Sequence, residues 1–454
     1  MSRLKYPEYK SSGVDWLGLV PAHWKIGPLK RRYVVCLGKM LQTDSSGVED
    51  SLKPYLRAAN VHWSGVDISD VKSMWFSLRD VKNLRLQAGD LLVSEGGDVG
   101  RSAVWNNEMH ECYIQNSVNR IRAKALDSTK YLFYWMATIK SKGYIDVLCN
   151  KSTIAHFTAE KVAEVPTPFP PVVEQIAIAT FLDRETAKID ALIAEQEKLI
   201  ALLYEKRQAT ISHAVTRGIN PNAPMKDSGV AWIGKVPTHW KVNRVKDVAR
   251  LESGHTPSKQ SPEYWENCDI PWVSLNDSKC LAANDYISDT AVKINELGLS
   301  NSSARMLPAG AVVFTRDATI GLAAITTLPM AVSQHLIAWC PSERITSLFL
   351  LRVFNAMRPH LDAYTFGATI KTIGMADVKK LVTTVPPIDE QLAITAYITD
   401  ETSKLDALSG LAERAINLLK ERRSALIAAA VTGQIDVCGT VPQPVVDYPE
   451  VIAA

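Results

Sequence analysis

The strongest constraint on this chain is that it repeats itself at one fixed distance. Residues 12–25 read SGVDWLGLVPAHWK and residues 228–241 read SGVAWIGKVPTHWK, so Trp232 follows Trp16 by 216 positions. A second block, PPVVEQIAIATFLDRETAKIDALI at 170–193, matches PPIDEQLAITAYITDETSKLDALS at 386–409, and Gln391 again follows Gln175 by 216. A third pair, EKRQATISHAVT at 205–216 and ERRSALIAAAVT at 421–432, keeps the same offset. One offset held over three long blocks marks a duplicated supersecondary frame. The frame must therefore be built twice, and each copy must close its own core.

Between the matched blocks the halves diverge. Residues 26–150 and 242–366 share little beyond GDLLVSEGGDVGRSAV at 89–104 against AGAVVFTRDATIGLAAI at 309–325, and STI at 152–154 opposite ATI at 368–370. Neutral drift would not spare the frame so unevenly. The pattern is a constant frame that carries two divergent modules.

The second block opens a helix. Within 174–213, Ile189, Leu192, Gln196, Leu199 and Leu203 follow a three–four spacing, and Ile193 and Ile200 widen the stripe. Pro170 and Pro171 suit its start, and Gly218 and Pro221 stop it. At 1.5 Å per residue such a helix is roughly 60 Å long, and its stripe needs a partner. The second copy supplies one: Leu405, Leu408, Ala412, Ala415 and Leu419 stand at the equivalent positions. The reading predicts two long antiparallel coiled-coil helices, with a pseudo-two-fold internal repeat and one module at each end. Gln175, Ile189, Leu192, Leu199, Leu203, Gln391, Leu405, Leu408 and Leu419 are the residues expected to build this spacer.

Each module reads as α+β. Residues 103–105, 118–121, 311–314 and 322–325 are β-prone, and helices are expected at 128–142 and 345–355. The predicted division is 1–165, first module; 166–220, first helix; 221–382, second module; 383–436, second helix; 437–454, tail. Polar and basic residues gather in the strand-and-loop segments. In the first module these are Arg57, Asn60, Arg101, Gln115, Asn116, Asn119, Arg120 and Lys151. In the second they are Thr256, Ser258, Lys259, Ser274, Asn276, Arg316, Thr319, Gln334 and Lys371. Arg and Lys neutralise phosphates or grip guanine, and Asn and Gln match adenine. The set makes a candidate DNA-binding surface, although any single member can be an ordinary solvated residue.

Composition narrows the partners. Net charge is only +3, so DNA affinity would come from local patches. Seven cysteines without a CxxC pair fit neither a disulfide scaffold nor a zinc finger. The N-terminal residues carry no apolar signal core, and no apolar run is long enough to span a bilayer. A cytoplasmic chain is expected.

The paired SGVxWxGxVPxHW frames, the PPxxEQ blocks and GHTPS at 254–258 resemble the specificity subunits of type I restriction–modification systems, from about residue 6 to residue 435. The first module departs from that pattern. It lacks a clear GxTPS, and its nearest counterpart is Gly38–Lys39 with Gln42–Thr43 and Ser45–Ser46. The resemblance implies two α/β-mixed target-recognition domains, each reading one half of an asymmetric bipartite DNA site. It further implies that the helices set the gap and dock two modification (methyltransferase) subunits, and that motor-nuclease restriction subunits join them. S-adenosylmethionine, ATP and Mg would sit on those partners, and this chain would hold no cofactor or metal.

Catalytic signatures are absent from the sequence. There is no P-loop, no HExxH and no Asn-Pro-Pro-Tyr, and Gly96-Gly97-Asp98-Val99-Gly100 lacks dinucleotide-binding spacing. His23 and His239 stand beside Trp24 and Trp240 in Val-Pro-x-His-Trp settings that suggest packing. The expectation is a non-catalytic DNA-recognition subunit. A self-contained DNA methyltransferase or nuclease is the alternative, which activity of the purified chain alone would support. A coiled-coil adaptor without DNA affinity is the third reading.

Overall fold

The computed structural model describes residues 5–149, 156–366 and 371–440. The chain divides into two compact units, one of Met1–Glu195 with Ala415–Ala454 and the other of Gln196–Arg414. Each unit therefore draws on both halves of the sequence. Its module comes from one copy of the repeat, and part of its helical layer comes from the other.

In the first unit a four-stranded antiparallel sheet runs in the order Ser102–Val104, Leu91–Ser94, Val118–Ala123, Tyr33–Leu37. A smaller sheet pairs Ser51–Leu56 with Lys72–Phe76 on one side and, in parallel, with Tyr113–Ile114 on the other. The helix Thr129–Ser141 covers the larger sheet, its N-terminus capped by the Ser128 side chain. The second unit repeats the plan with more strands. Its five-stranded sheet runs Ala249–Ser253, Leu336–Pro341, Val312–Thr315, Ala323–Thr326, Tyr286–Ile287. Its small sheet joins Ile270–Val273 to Lys293–Ile294 and, in parallel, to Ala331–Val332. The helix Ser347–Met357 is capped by Thr346. The strands and helices expected from the sequence lie within about two residues of these elements.

The two long helices are Val172–Arg217 and Ile388–Val431. In the first unit Asp190 pairs with Arg423 at 2.9 Å, and Arg184 reaches the Thr440 carbonyl. As one helix is followed backwards the other runs forwards, so the packing is antiparallel. The second unit shows the same relation: Arg207 pairs with Asp406 at 3.1 Å, and Thr384 donates to the Val215 carbonyl. These are one ion pair met twice, because Asp406 and Arg423 stand 216 positions after Asp190 and Arg207.

The buried row differs from the expected stripe. Ile189, Leu203 and Leu405 are buried, Leu419 is half-buried, and Leu192, Leu199 and Leu408 are exposed. Ile193 and Ile200 occupy the inner row instead. A helix of 3.6 residues per turn accepts either choice of three or four residues, and the fold half-buries Ile193 and Ile200 in place of Leu192 and Leu199. Both surface ion pairs are solvent-accessible, so each contributes little. A double-mutant cycle of Asp190→Ala and Arg423→Ala is expected to return a coupling below about 1 kcal/mol; a value above that would mean that the pair, and not the apolar row, sets the register.

The PPxxEQ block explains how a module is held to its helix. Gln175 is fully buried. Its amide donates to Asp127 Oδ1 at 2.8 Å and to the Pro170 carbonyl at 2.9 Å, and its Oε1 accepts from the Ser128 backbone at 2.9 Å. Gln391 does the same for Arg344, Pro386 and Thr346. One side chain thus ties the start of the long helix to the start of the module helix. The structure gives Gln175 and Gln391 this internal role and leaves neither on the surface expected for docking. Glu174 accepts from the Tyr6 hydroxyl, from Trp24 Nε1 at 3.0 Å and from His23 Nε2 at 2.9 Å. Burial and the Glu174 carboxylate push the Tyr6 phenol well above its ordinary value. Among the described residues Glu390 keeps only His239, at 2.8 Å. Each long helix ends on a left-handed glycine, Gly218 or Gly433, seated against the tryptophan of its own unit. No helix among the described residues is long and apolar enough to cross a membrane.

Candidate nucleic-acid interface

Both modules present their polar residues around one backbone arrangement. The strand Tyr33–Leu37 runs into Gly38, and Lys39 N donates to the Ile114 carbonyl at 3.0 Å. The strand Ala249–Ser253 runs into Gly254, and His255 N donates to the Val332 carbonyl at 3.1 Å. A Cβ on Gly38 would sit closer than 3.0 Å to the Gln115 carbonyl, and one on Gly254 would crowd those of Val332 and Ser333 equally. Only glycine lets two backbones approach this closely. Gly38, the weak counterpart of the GHTPS glycine in sequence, is its structural equivalent.

Beside each crossing lies a hairpin loop. In the first unit Ser94 N donates to the Arg101 carbonyl and Gly100 N to the Ser94 carbonyl, at 2.8 and 2.9 Å. In the second, Thr315 N donates to Leu322 and Gly321 N to Thr315, at 2.9 and 3.0 Å. The loops are pinned alike. Glu95 N donates to the Ser117 carbonyl and Phe157 N to the Glu95 carbonyl, both at 2.9 Å; Arg316 N donates to His335 and Ile373 N to Arg316, at 3.1 and 2.9 Å. One scaffold therefore displays two different sets of side chains.

In the second unit the scaffold opens into a pocket. Thr256, Lys259, Ser274, Asn276 and Gln334 line it, with His335 and the two tryptophans Trp265 and Trp272. The rings of Trp265 and Trp272 meet edge to face, 5.5 Å apart, and their indole N–H groups hold the Ser258 and His255 carbonyls. His335 Nδ1 lies 2.8 Å from Asp317 Oδ2. Of the residues expected from sequence, the structure brings these five together. Ser258 is exposed and accepts from the Gln260 backbone, Thr319 is exposed on the hairpin loop, and Lys371 is exposed just before the short strand Thr372–Ile373, its carbonyl accepting from Ala318 N at 3.0 Å. Arg316 lies at the head of that loop.

In the first unit, Arg57, Arg101 and Gln115 converge near Ala58. Arg101 Nη2 donates to the Ala58 carbonyl at 2.7 Å, while Ser117 Oγ accepts from Ala58 N and donates to Gln115 Oε1 at 2.8 Å. Arg57 is held to Asp70 at 2.6 Å. Asn116 is half-buried, its backbone bound to Lys39. Three other candidates lie inside the fold. Asn60 spans the Arg57 amide and the Asp67 carbonyl, Asn119 donates to the Phe157 carbonyl at 2.9 Å, and Arg120 donates to the Asn83 carbonyl at 2.8 Å. Burial holds the Arg120 guanidinium below its usual range, helped by Arg122. These three side chains work as struts in the free chain. Lys151 falls outside the described residues.

Several buried polar atoms around the scaffold have no hydrogen-bond partner among the described residues: Glu95 Oε2 and Arg101 Nε in the first unit, His255 Nδ1, Arg316 Nε and Ser333 Oγ in the second. Buried polar groups are normally satisfied, so these atoms are free to bind water or a ligand. Sequence reasoning missed Glu95. Its signal was the echo of SEGGDVG in TRDATIG, where the acid stands opposite Arg316.

Comparison with known proteins gives a consistent result. The family model described as "Type I restriction modification DNA specificity domain" matches residues 48–201 and 237–416, well over half of the 454 residues. The chain is 30% identical over 171 residues to a type I restriction enzyme MjaIX specificity subunit of Methanocaldococcus jannaschii, a match that spans 37% of this chain and 39% of that relative. It is 20% identical to a putative MjaX specificity subunit of the same organism, over 93% of this chain and 96% of the relative. Among solved structures, a chain from a study of complex assembly and conformational transition of the type I R-M system superposes with a TM-score of 0.64 at 16% identity, covering 91% of this chain and 98% of that one. The residues matched by the family model include both hairpin loops and the crossing at Gly254, while the crossing at Gly38 lies before the first match. The chain belongs to the family of type I restriction modification DNA specificity domains.

Proposed function

We propose that this chain is the sequence-reading subunit of a type I restriction–modification complex, non-catalytic in itself. Each module reads one half of an asymmetric bipartite DNA site. The observation that carries this is one backbone scaffold, built twice, with different polar side chains around the same glycine crossing. Sequence is read by base contacts, while Lys259 and neighbouring cations hold phosphates. The antiparallel helices set the distance between the half-sites, roughly one turn or ~34 Å of duplex. Their exposed leucines, Leu192, Leu199 and Leu408, offer apolar surface to two methyltransferase subunits. S-adenosylmethionine belongs to those subunits, which extrude the target base, and ATP and Mg belong to the motor-nuclease subunits.

The test is a genome-wide map of N6-methyladenine in cells with and without the gene. Loss of methylation at one asymmetric two-part motif on deletion is the expected outcome. An unchanged map, with purified chain and partners failing to bind DNA, would refute the assignment.

A further inference from the structure

Glu95 and Arg316 occupy one position of the repeated scaffold and carry opposite charge. The equivalence rests on the backbone: each residue opens the hairpin loop, donates its N–H to the strand turn at Ser117 or His335, and accepts from Phe157 or Ile373, which stand 216 positions apart. Among the described residues each side chain has one loose ion-pair partner. The Glu95 side chain is only 14% exposed; among the described residues its Oε2 has no hydrogen-bond partner, and its ion-pair partner is His156 Nδ1 at 3.9 Å. Burial raises its pKa. The Arg316 guanidinium is 23% exposed; its Nε has no hydrogen-bond partner and stands 3.6 Å from Asp317 Oδ1. A half-buried charge whose ion-pair partner stands as far off as 3.6–3.9 Å is poorly compensated in the free protein. Two such charges at one equivalent position are unlike random surface groups.

We propose that Glu95 and Arg316 are the matching base-reading residues of the two modules, each recognising a C·G pair from opposite sides. This rests on the DNA-reading function above. A carboxylate only accepts hydrogen bonds and is repelled by phosphate and by the acceptor edge of guanine. It fits the N4 amino group of cytosine, whereas adenine places the acceptor N7 beside its amino group. A guanidinium only donates, and it fits O6 and N7 of guanine. The duplication thus placed a reader at one point of the scaffold, and the sign of its charge turned the base pair around.

The experiment maps N6-methyladenine in cells whose chromosomal gene carries Glu95→Gln, Arg316→Gln or both. Glutamine keeps the size and prefers adenine. Wild type first shows whether an asymmetric bipartite motif exists; if none does, the DNA-reading function fails and not this inference alone. With a motif in hand, Glu95→Gln is expected to admit an A·T pair at one C·G position of one half-site. Arg316→Gln is expected to do so in the other half-site, and the double variant in both. Discrimination at the affected position should fall from about tenfold or more to within about threefold. An unchanged motif, relaxation in the same half-site by both variants, or relaxation at an original A·T pair would overturn the proposal. If a variant abolishes methylation, the purified complex with its partner subunits is titrated against duplexes substituted one pair at a time. Weakening confined to duplexes that carry the cognate C·G pair supports the assignment. Equal weakening on all duplexes assigns these residues to folding or assembly and overturns it.

Discussion

Gly254→Ala is expected to lower the thermal midpoint of the chain by roughly 10 °C. The added Cβ would meet the Val332 and Ser333 carbonyls at less than 3.0 Å, and both are backbone atoms that cannot swing aside. Overpacking of this kind costs about 3 kcal/mol at its upper range, and each kcal/mol shifts a domain of some 200 residues by about 2–4 °C. The backbone at Gly254 does not lie in the left-handed region, so the penalty comes from space and not from conformational strain. Gly38→Ala is expected to do the same to the first unit. Gly96→Ala is the control. It has open space around its Cβ and no left-handed φ, so it should be neutral or stabilise by up to about 1 kcal/mol. Calorimetry of the three variants checks the argument; a midpoint for Gly254→Ala within about 1 °C of wild type would show that the crossing can relax.

Glu174→Ala is expected to destabilise by about 3 kcal/mol and Glu390→Ala by less than about 1 kcal/mol, although both glutamates come from the same PPxxEQ motif. The Glu174 side chain is 9% exposed and accepts from Tyr6, Trp24 and His23; its removal leaves two buried donors unpaired. Glu390 is 25% exposed and holds only the half-exposed His239. The position equivalent to Tyr6 is the exposed Asn222, and Trp240 Nε1 already lacks a partner. Denaturant midpoints at constant slope give both values. Equal losses would mean that the motif acts through something other than these hydrogen bonds.

The difference between those two glutamates shows where sequence reading stops. A motif names a residue, and its neighbours decide what the residue is worth. The same holds for the candidate interface. Thr256, Lys259, Ser274, Asn276 and Gln334 were picked for chemistry from segments far apart in sequence, and the fold gathers them into one pocket. Asn60, Asn119 and Arg120 were picked on the same grounds and point inward. The strand Val118–Ala123 has four consecutive buried residues, so alternation could not say which of its polar side chains faces out. Glu95 carries the wrong sign for phosphate, although a base edge can require an acid.

By itself the sequence determined the duplication, the two long helices and the α+β class of the modules. Those features are written in local periodicity and in a constant offset, which need no partner to be read. Tertiary structure alone decided which row of each helix is buried, because Leu192 and Ile193, or Leu199 and Ile200, satisfy the helical period equally until a second helix covers one of them. It also decided that each compact unit takes its helical layer from both copies of the repeat. Antiparallel packing brings residues about 230 positions apart, such as Asp190 and Arg423, into contact; the repeat foretells the pairing, but its register is set only when the two helices meet.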